Sequence, residues 1–145
     1  ENVYASLGVY VQAQLAAYTL EFPGIDLDVE SLTSWIRVDY MDITRQFIRK
    51  VSATEHGFIS YILVSFNCFS KESNDTYAQV TMRDAVFTAF KPNTEINFTD
   101  HVGSGVAGAL GQLFCWDVVS DVTIPNTDGL RQHNITINLR YEEQY

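Results

Sequence analysis

The sequence predicts an α+β fold, a mixed or antiparallel sheet of two hairpins with two helices packed on it. Two observations predict it: the elements follow the order α-β-β-α-β-β, and one amphipathic helix separates two pairs of alternating segments. The length of 145 residues suits one domain over 1–145. The content of 46% hydrophobic and 13% aromatic residues is typical of a globular chain.

In the first half, apolar residues at helical spacing predict a helix over residues 4–18: Tyr4, Leu7, Val11, Leu15 and Tyr18. Phe22-Pro23-Gly24 ends it. Three strands are predicted next, over Thr33–Ile43, Phe47–Ala53 and Phe58–Ser70, with a loop at Thr54-Glu55-His56-Gly57. The strand Phe58–Ser70 is apolar on both faces, which predicts a central strand covered by the helices on one side and by a neighbouring subunit on the other.

In the second half, Ser73-Asn74-Asp75 supplies capping residues for a helix over roughly 75–91, which Pro92 ends. Its main apolar stripe is predicted to face the sheet: Ala78, Met82, Ala85, Val86, Ala89 and Phe90. Ile96–Phe98 is a short candidate strand, and the Gly-rich residues 102–111 are predicted to be a mobile loop. Leu113–Ile124 and Gln132–Glu142 are predicted strands joined by the turn cluster Pro125–Gly129.

Charge and cysteine content restrict the classes of partner. The net charge is −9 at pH 7, which argues against non-specific binding to nucleic-acid phosphates or to an anionic membrane surface. No apolar run is long enough to span a bilayer. The predicted state of Cys68 and Cys115 is buried free thiols, with a disulfide between the strands as the open alternative.

No catalytic, cofactor or metal site is predicted. Gly103-Ser-Gly105-Val-Ala-Gly108 matches the text of a dinucleotide-binding motif, but a poor strand precedes it and the strand-like Leu113 follows too soon for a helix. The three histidines, His56, His101 and His133, lie near predicted loops without a recognisable nucleophile signature. We therefore expect no enzymatic activity.

The order of elements resembles the tail terminator family of tailed bacteriophages. The resemblance covers nearly the whole chain and is carried by the N-terminal helix and four segments: Ser34–Tyr40, Phe58–Ser70, Tyr77–Phe90 and Asn134–Tyr141. It is a resemblance of pattern, because no short signature defines the family. The Gly-rich stretch 102–111 departs from the compact pattern.

The resemblance implies a structural virion protein that forms a hexameric ring at the head-proximal end of the tail. Such a ring ends polymerisation of the tail tube and joins the tail to the neck, so the implied partners are copies of this chain, the tail tube protein and a head–tail connector protein. The implied location is the virion, after assembly in the host cytoplasm. DNA would pass the lumen without specific binding, and an acidic wall suits that passage. The lumen candidates are Asp26, Asp28 and Glu30.

The candidate interface residues lie on the second helix and in two turns. Val80 and Phe87 lie a heptad apart on the side away from the main stripe, and Tyr77 precedes them. These three are candidates for contact with another subunit, and the open alternative is that Val80 and Phe87 are scattered surface apolar residues. Contacts with other virion proteins are expected at Gly103, Gly105 and Gly108, and in the 125–131 turn at Asp128 and Gly129. The open alternatives are another ring-forming tail-tube or neck component, a small enzyme and a host-side binding module.

Overall fold

The computed structural model describes residues 2–50, 56–71, 77–101, 103, 108–127 and 129–144. The described elements are, in chain order, α1 Asn2–Gln14, β1 Leu20–Glu21, β2 Ser34–Lys50, β3 His56–Lys71, α2 Ala78–Ala89, β4 Glu95–Thr99, β5 Ala109–Thr127 and β6 Leu130–Gln144. The predicted α+β class is confirmed. No helix in the described ranges is both long enough and apolar enough to cross a bilayer.

The six strands form one sheet in the order β1-β2-β3-β6-β5-β4. The short β1 runs parallel to β2, and every other neighbouring pair is antiparallel, so the sheet is mixed. The two predicted hairpins are β2–β3 and β5–β6, and they meet where β3 pairs with β6. The predicted central position of the strand Phe58–Ser70 is therefore confirmed.

Both helices cover the same face of the sheet, which we call the inner face. From β3 this face receives Ile62, Val64, Phe66 and Cys68, all fully buried. The ring of Phe90 after α2 lies 5.1 Å from that of Phe66, and Tyr10 of α1 contacts Phe90 edge-on at 5.5 Å. The predicted stripes are confirmed at their centres, since Leu7, Val11, Leu15, Met82 and Val86 are all at most 1% exposed.

The opposite face, which we call the outer face, is polar at its centre. Asn134 Nδ2 donates to Ser65 Oγ at 2.8 Å and to Asn67 Oδ1 at 2.9 Å. Ser120 Oγ donates to Asn134 Oδ1 at 3.1 Å. Toward the end near Ser34, Trp35 stacks on Phe69 with ring centroids 5.1 Å apart. Side chains of neighbouring strands thus satisfy one another across this face.

The prediction of two strands before Phe58 is wrong, because β2 is one strand from Ser34 to Lys50. Irregularities between Tyr40 and Ile43 and between Phe47 and Arg49 interrupt the alternation that the prediction used. The loop predicted at 54–57 is wrong at its end, since His56 pairs with Lys50 and Gly57 with Arg49 inside the β2–β3 ladder. Residues 51–55, which include the end of the predicted second strand and the start of that loop, lie outside the described residues.

The prediction of a loop through residue 111 is wrong at its end, because β5 begins at Ala109. Gly111 lies in this strand opposite Phe98, and a Cβ at that position would collide with the Phe98 ring, so the glycine makes room for the ring. The 125–131 turn is likewise too long as predicted, since Thr127 already pairs with Leu130 and two residues connect them. Asp-Gly at those two positions is typical of a tight hairpin connection.

The helix bounds differ slightly from the prediction. α1 ends at Gln14 instead of residue 18, and a turn closes with Tyr18 N donating to Leu15 O at 3.0 Å. The next residues form β1, which the sequence did not predict. α2 begins at Ala78 after Tyr77, and the predicted capping residues Ser73-Asn74-Asp75 lie outside the described residues.

Candidate functional site

The part of β5 that extends past β4 is the most apolar exposed segment of the described chain. β4 pairs with β5 only from Ala109 to Phe114, and Cys115 still bonds to the Asn93–Thr94 turn. Beyond that point, among the described residues, no strand pairs with Trp116–Ile124 on the β4 side, and we call this segment the β5 edge. Ten large apolar side chains are exposed among the residues whose burial is described, and four of them lie there: Trp116, Val118, Val119 and Val122. Apolar groups on a strand edge favour pairing with another chain.

The opposite end of the sheet has a second open segment. β1 pairs with β2 only at Ile36 and Arg37. Within the described ranges no further strand pairs with Val38–Lys50 on the β1 side, and we call this segment the β2 edge. Met41 on this edge is 48% exposed. The sheet therefore has two open edges that belong to different surfaces, as a head-to-tail contact requires.

The two edges differ in charge. β2 contains four of the nine basic residues of the chain, Arg37, Arg45, Arg49 and Lys50, together with two aspartates. β5 contains two aspartates, Asp117 and Asp121, and no basic residue. In a chain of net charge −9, this is a marked separation of charge between two ends of one sheet, and opposite charges on facing strands stabilise pairing.

An open groove of about 590 Å³ runs beside the β5 edge on the inner face. Its lining combines residues of α2 with residues of β5: Arg83, Asp84, Phe87, Thr88, Val118 and Asp121. The Arg83 guanidinium lies 4.6 Å from the centroid of the Phe87 ring, which covers part of that ring. The lining of the groove is thus amphipathic, because it combines the apolar side chains of Phe87 and Val118 with charged side chains.

A polar cluster that the sequence did not reveal closes one end of this groove. Arg83 Nε donates to Asp121 Oδ1 at 2.9 Å and Arg83 Nη2 donates to Oδ2 at 2.5 Å. The Nε2 atom of His133 lies 2.6 Å from Asp121 Oδ1, and the Nδ1 atom of the same ring lies 3.1 Å from Thr123 Oγ1. These contacts connect α2 to both strands of the second hairpin.

The electrostatics of this cluster indicate a clamp between helix and sheet. The hydrogen bonds from Arg83 are the main reason that the pKa of Asp121 falls from 3.8 to about 2. The same contact raises the pKa of Arg83. Because the guanidinium binds both carboxylate oxygens, the negative charge of Asp121 is already compensated by Arg83. The cluster is therefore arranged to hold α2 on the sheet.

The interface residues predicted on the second helix lie in different environments. Val80 is 42% exposed and Tyr77, at the N-cap of α2, is 71% exposed. Phe87 is half-buried, because it packs against the core and under Arg83. Val80 and Tyr77 are therefore accessible to another chain, whereas only part of Phe87 is.

The predicted contact glycines are partly described. Gly103, Gly108 and Gly129 have φ values of 84°, 82° and 76°, which is the left-handed region that glycine favours. Gly105 and Asp128 lie outside the described residues. β5 begins directly after Gly108, so no helix N-terminus stands there to receive a phosphate, and the text match to a dinucleotide motif lacks its structural context.

The predicted lumen residues Asp26, Asp28 and Glu30 are all exposed between β1 and β2. Asp28 Oδ1 accepts a hydrogen bond from Glu30 N at 3.1 Å, and Lys71 Nζ donates to Glu30 O at 2.7 Å. These bonds hold the acidic segment against the end of β3.

The histidines and cysteines do not form a shared site. His133 belongs to the clamp on Asp121, whereas His101 Nε2 lies 3.0 Å from Ser6 Oγ beneath α1, and His56 stands in β3. The prediction of buried free thiols is confirmed for Cys68 and Cys115, and burial raises the pKa of each to about 12. No group of three or more His, Cys, Asp or Glu in the described part of the chain could hold a metal ion.

Comparison of the sequence with protein-family models and with curated proteins finds no match. Comparison of the fold finds similar solved structures. A chain from the virion of a native gene transfer agent particle superposes with a TM-score of 0.54 at 11% identity, over 97% of this chain and 92% of that chain. A second protein, whose name states no function, superposes with a TM-score of 0.65 at 10% identity, over 97% of this chain and 93% of that chain. At such identities the similarity establishes a shared fold over nearly the full length of all three chains.

Proposed function

We propose that this chain is a structural protein of a phage-like particle. The observation that carries the proposal is the fold similarity to a chain of a gene transfer agent virion, which covers 97% of this chain. The surface supports it, because exposed apolar residues concentrate on an open strand edge, as expected of a protein that works by contact with other chains.

An enzymatic role has weaker support. The best acid–base pair among the described residues is Asp121 with His133, and Arg83 already binds both oxygens of that carboxylate. The neighbouring groove is open and wide, without a buried nucleophile in its lining. We therefore propose that the chain performs no chemistry.

The specific role that we propose is tail termination. Copies of the chain form a ring, most simply a hexamer, at the head-proximal end of the tail, stop the growth of the tube and join it to the neck. The partners are then the tail tube protein and a head–tail connector protein, and the protein resides in the virion. The sheet supports this role, since two complementary edges on different surfaces allow a head-to-tail contact that closes on itself.

DNA passes through such a ring without being held. The net charge of −9 and the exposed carboxylates of Asp26, Asp28 and Glu30 suit a wall that repels the phosphate backbone. A lumen lined by Lys and Arg would contradict this part of the proposal.

Deletion of the gene from the producing phage or particle tests the role directly. We expect tails of uncontrolled length, or tails that fail to join heads, and complementation should restore both properties. Normal joined tails in the deletion strain would refute tail termination. Gold labelling of a tagged chain locates it independently: label along the whole tube would favour a tube protein, and label at the neck with tails of normal length would favour a connector ring.

A further inference from the structure

We propose that copies of this chain associate by antiparallel pairing of the β5 edge of one copy with the β2 edge of the next. The occupant of each edge is a second copy of the same chain. This inference deepens the proposed ring, because it names the surfaces and the strand register that join its subunits.

Strand direction is the first support. The ladders β2–β3, β3–β6 and β6–β5 are all antiparallel, so β2 and β5 run in opposite directions within one sheet. A neighbouring copy in a similar orientation therefore presents its β2 antiparallel to β5. The contact continues the sheet from one copy to the next, and it uses backbone groups that pair with no strand within the described chain.

In a level alignment, each row of paired residues in one copy would continue into the same row of the next copy. Such an alignment fits poorly. The ladders place Val122, Asn134, Asn67 and Arg37 in one row, so the β1 strand of a level neighbour would stand beside Val122. A second row contains Asp117, Asn138 and Leu63. On β2 this row meets the irregularity at Met41 and Asp42, where the β2–β3 ladder has no regular pair. Level pairing would thus be short and would place two aspartates, Asp117 and Asp42, at facing positions of the ladder, and like charges at facing positions are unfavourable.

A staggered alignment uses both open segments. Placing Asp117 opposite Arg49 brings the whole β5 edge, Trp116–Ile124, against residues 42–50 of the next copy. β4 does not obstruct this contact, because it pairs with Ala109–Phe114 and ends before the β5 edge begins. The neighbour's β1 does not obstruct it either, because it pairs with Ile36 and Arg37, outside residues 42–50. Asp121 takes the position opposite Arg45 in the same alignment, but Arg83 already binds its carboxylate, so the charge complementarity of the contact rests on Asp117 and Arg49.

Side-chain chemistry agrees with this arrangement. Val119, which is 56% exposed, lies at the centre of the β5 edge and opposite Phe47 in the staggered alignment. Pairing therefore removes apolar surface from water along with the strand edge. Both strands deviate from regular alternation, between Val118 and Ser120 and between Phe47 and Arg49, and these two irregularities meet near the same point of the proposed contact.

Substitution of Val119 by Lys tests the contact, because a lysine in the middle of an edge opposes strand pairing. The matched control is Val9→Lys, since Val9 lies on α1 and is 57% exposed, against 56% for Val119. We expect the native protein and Val9→Lys to form oligomers in light scattering as concentration rises, and Val119→Lys to remain monomeric with an unchanged circular dichroism spectrum. A native protein that stays monomeric at its solubility limit, or a Val119→Lys variant that assembles like the native protein, would overturn the proposal.

A charge exchange tests the register. Asp117→Arg and Arg49→Asp should each weaken assembly by at least about tenfold in dissociation constant, since each places like charges in contact. The double variant restores opposite charges and should assemble close to the native level. A double variant as weak as the worse single variant would show that these two residues do not face each other.

The edge contact and the proposed role in tail termination can be refuted independently of each other. A deletion strain with normal joined tails, together with loss of assembly in Val119→Lys, would refute the role and leave the edge contact standing. A deletion strain with defective tails that Val119→Lys rescues as fully as Val9→Lys would refute the edge contact alone.

Discussion

Substitution of Asp121 by Asn should loosen the clamp that holds α2 on the sheet. The Asp121 carboxylate receives two hydrogen bonds from Arg83 and lies 2.6 Å from His133 Nε2. Asparagine has nearly the same shape but no charge, so the change removes the ion pair. Among the described residues, the carboxylate that still contacts Arg83 is then the exposed Asp84 at 3.0 Å. We therefore expect a destabilisation that comes from charge and not from packing.

The pKa of Asp121 sets the magnitude. A fall from 3.8 to about 2 corresponds to at most ~2.5 kcal/mol of stabilisation at neutral pH, at ~1.36 kcal/mol per pKa unit. The Asp121 side chain is 30% exposed, and screening by solvent reduces the expected loss to ~1–1.5 kcal/mol. For a chain of this size that loss lowers the Tm by about 3–5 °C.

The pH dependence has a definite sign. Because the folded-state pKa is lowered, the carboxylate stabilises the protein fully above about pH 5 and progressively less as pH falls toward 2. Urea unfolding at pH 7 and pH 3 should thus show a difference between the native protein and Asp121→Asn that roughly halves at the lower pH. The matched control is Asp84→Asn, since Asp84 contacts the same guanidinium but its side chain is 66% exposed.

Three results would refute this reasoning. Equal stability of the native protein and Asp121→Asn at pH 7 would mean that the ion pair contributes nothing. A deficit of the same size at pH 7 and pH 3 would mean that the loss comes from altered packing or hydrogen bonding. An effect of Asp84→Asn as large as that of Asp121→Asn would show that the exposed contact matters equally.

Four further outcomes are expected. Gly111→Ala should destabilise the protein by ~1–3 kcal/mol in urea unfolding, because the new Cβ meets the Phe98 ring. Gly8→Ala on α1, whose Cβ would have an ordinary 3.6 Å contact, should instead stabilise it by ~0.5–1 kcal/mol. Cys68 and Cys115 should not react with a thiol reagent at pH 8 until urea unfolds the chain, since burial raises both pKa values to about 12. The protein should not shift duplex DNA in a gel at ~0.15 M salt, and salt-sensitive binding would contradict the repulsive lumen.

The regular parts of the fold were predictable from local pattern. Ile135, Ile137 and Leu139 alternate with polar residues in the sequence and are all at most 1% exposed in β6. Where β2 and β5 depart from alternation, the same reasoning divided one strand in two and read the start of another as a loop. Gly111 shows the physical cause, because the glycine that indicated flexibility makes room for the Phe98 ring.

The clamp was beyond sequence reasoning because its members are distant in sequence and each is ordinary alone. Arg83 and Asp121 are 38 positions apart, and they meet only because α2 packs across the second hairpin. One signal was present, because the Asp-Gly connection predicts the tight pairing of Thr127 with Leu130. That register alone would place Ile124 opposite His133, and Thr123 takes the position only because the ladder shifts between Ile124 and Thr127. Asp121 also lies on the inner face because of an irregularity between Val118 and Ser120, and local sequence pattern does not predict that irregularity.

The open edges and the outer face lead to different expectations about how copies meet. The apolar pattern of β3 on both faces suggested that a neighbouring subunit covers the outer face. In the structure the centre of that face holds Ser65, Asn67 and Asn134, which bond to one another, so water can remain against it at little cost. The exposed valines of β5 lie at the edge instead. There the backbone N–H and C=O groups pair with no further strand of the described chain and favour pairing with a strand of another copy. Contact through the edges leaves the polar outer face and the acidic segment at Asp28 accessible, so in the proposed ring those surfaces can line the lumen or contact the proposed partners.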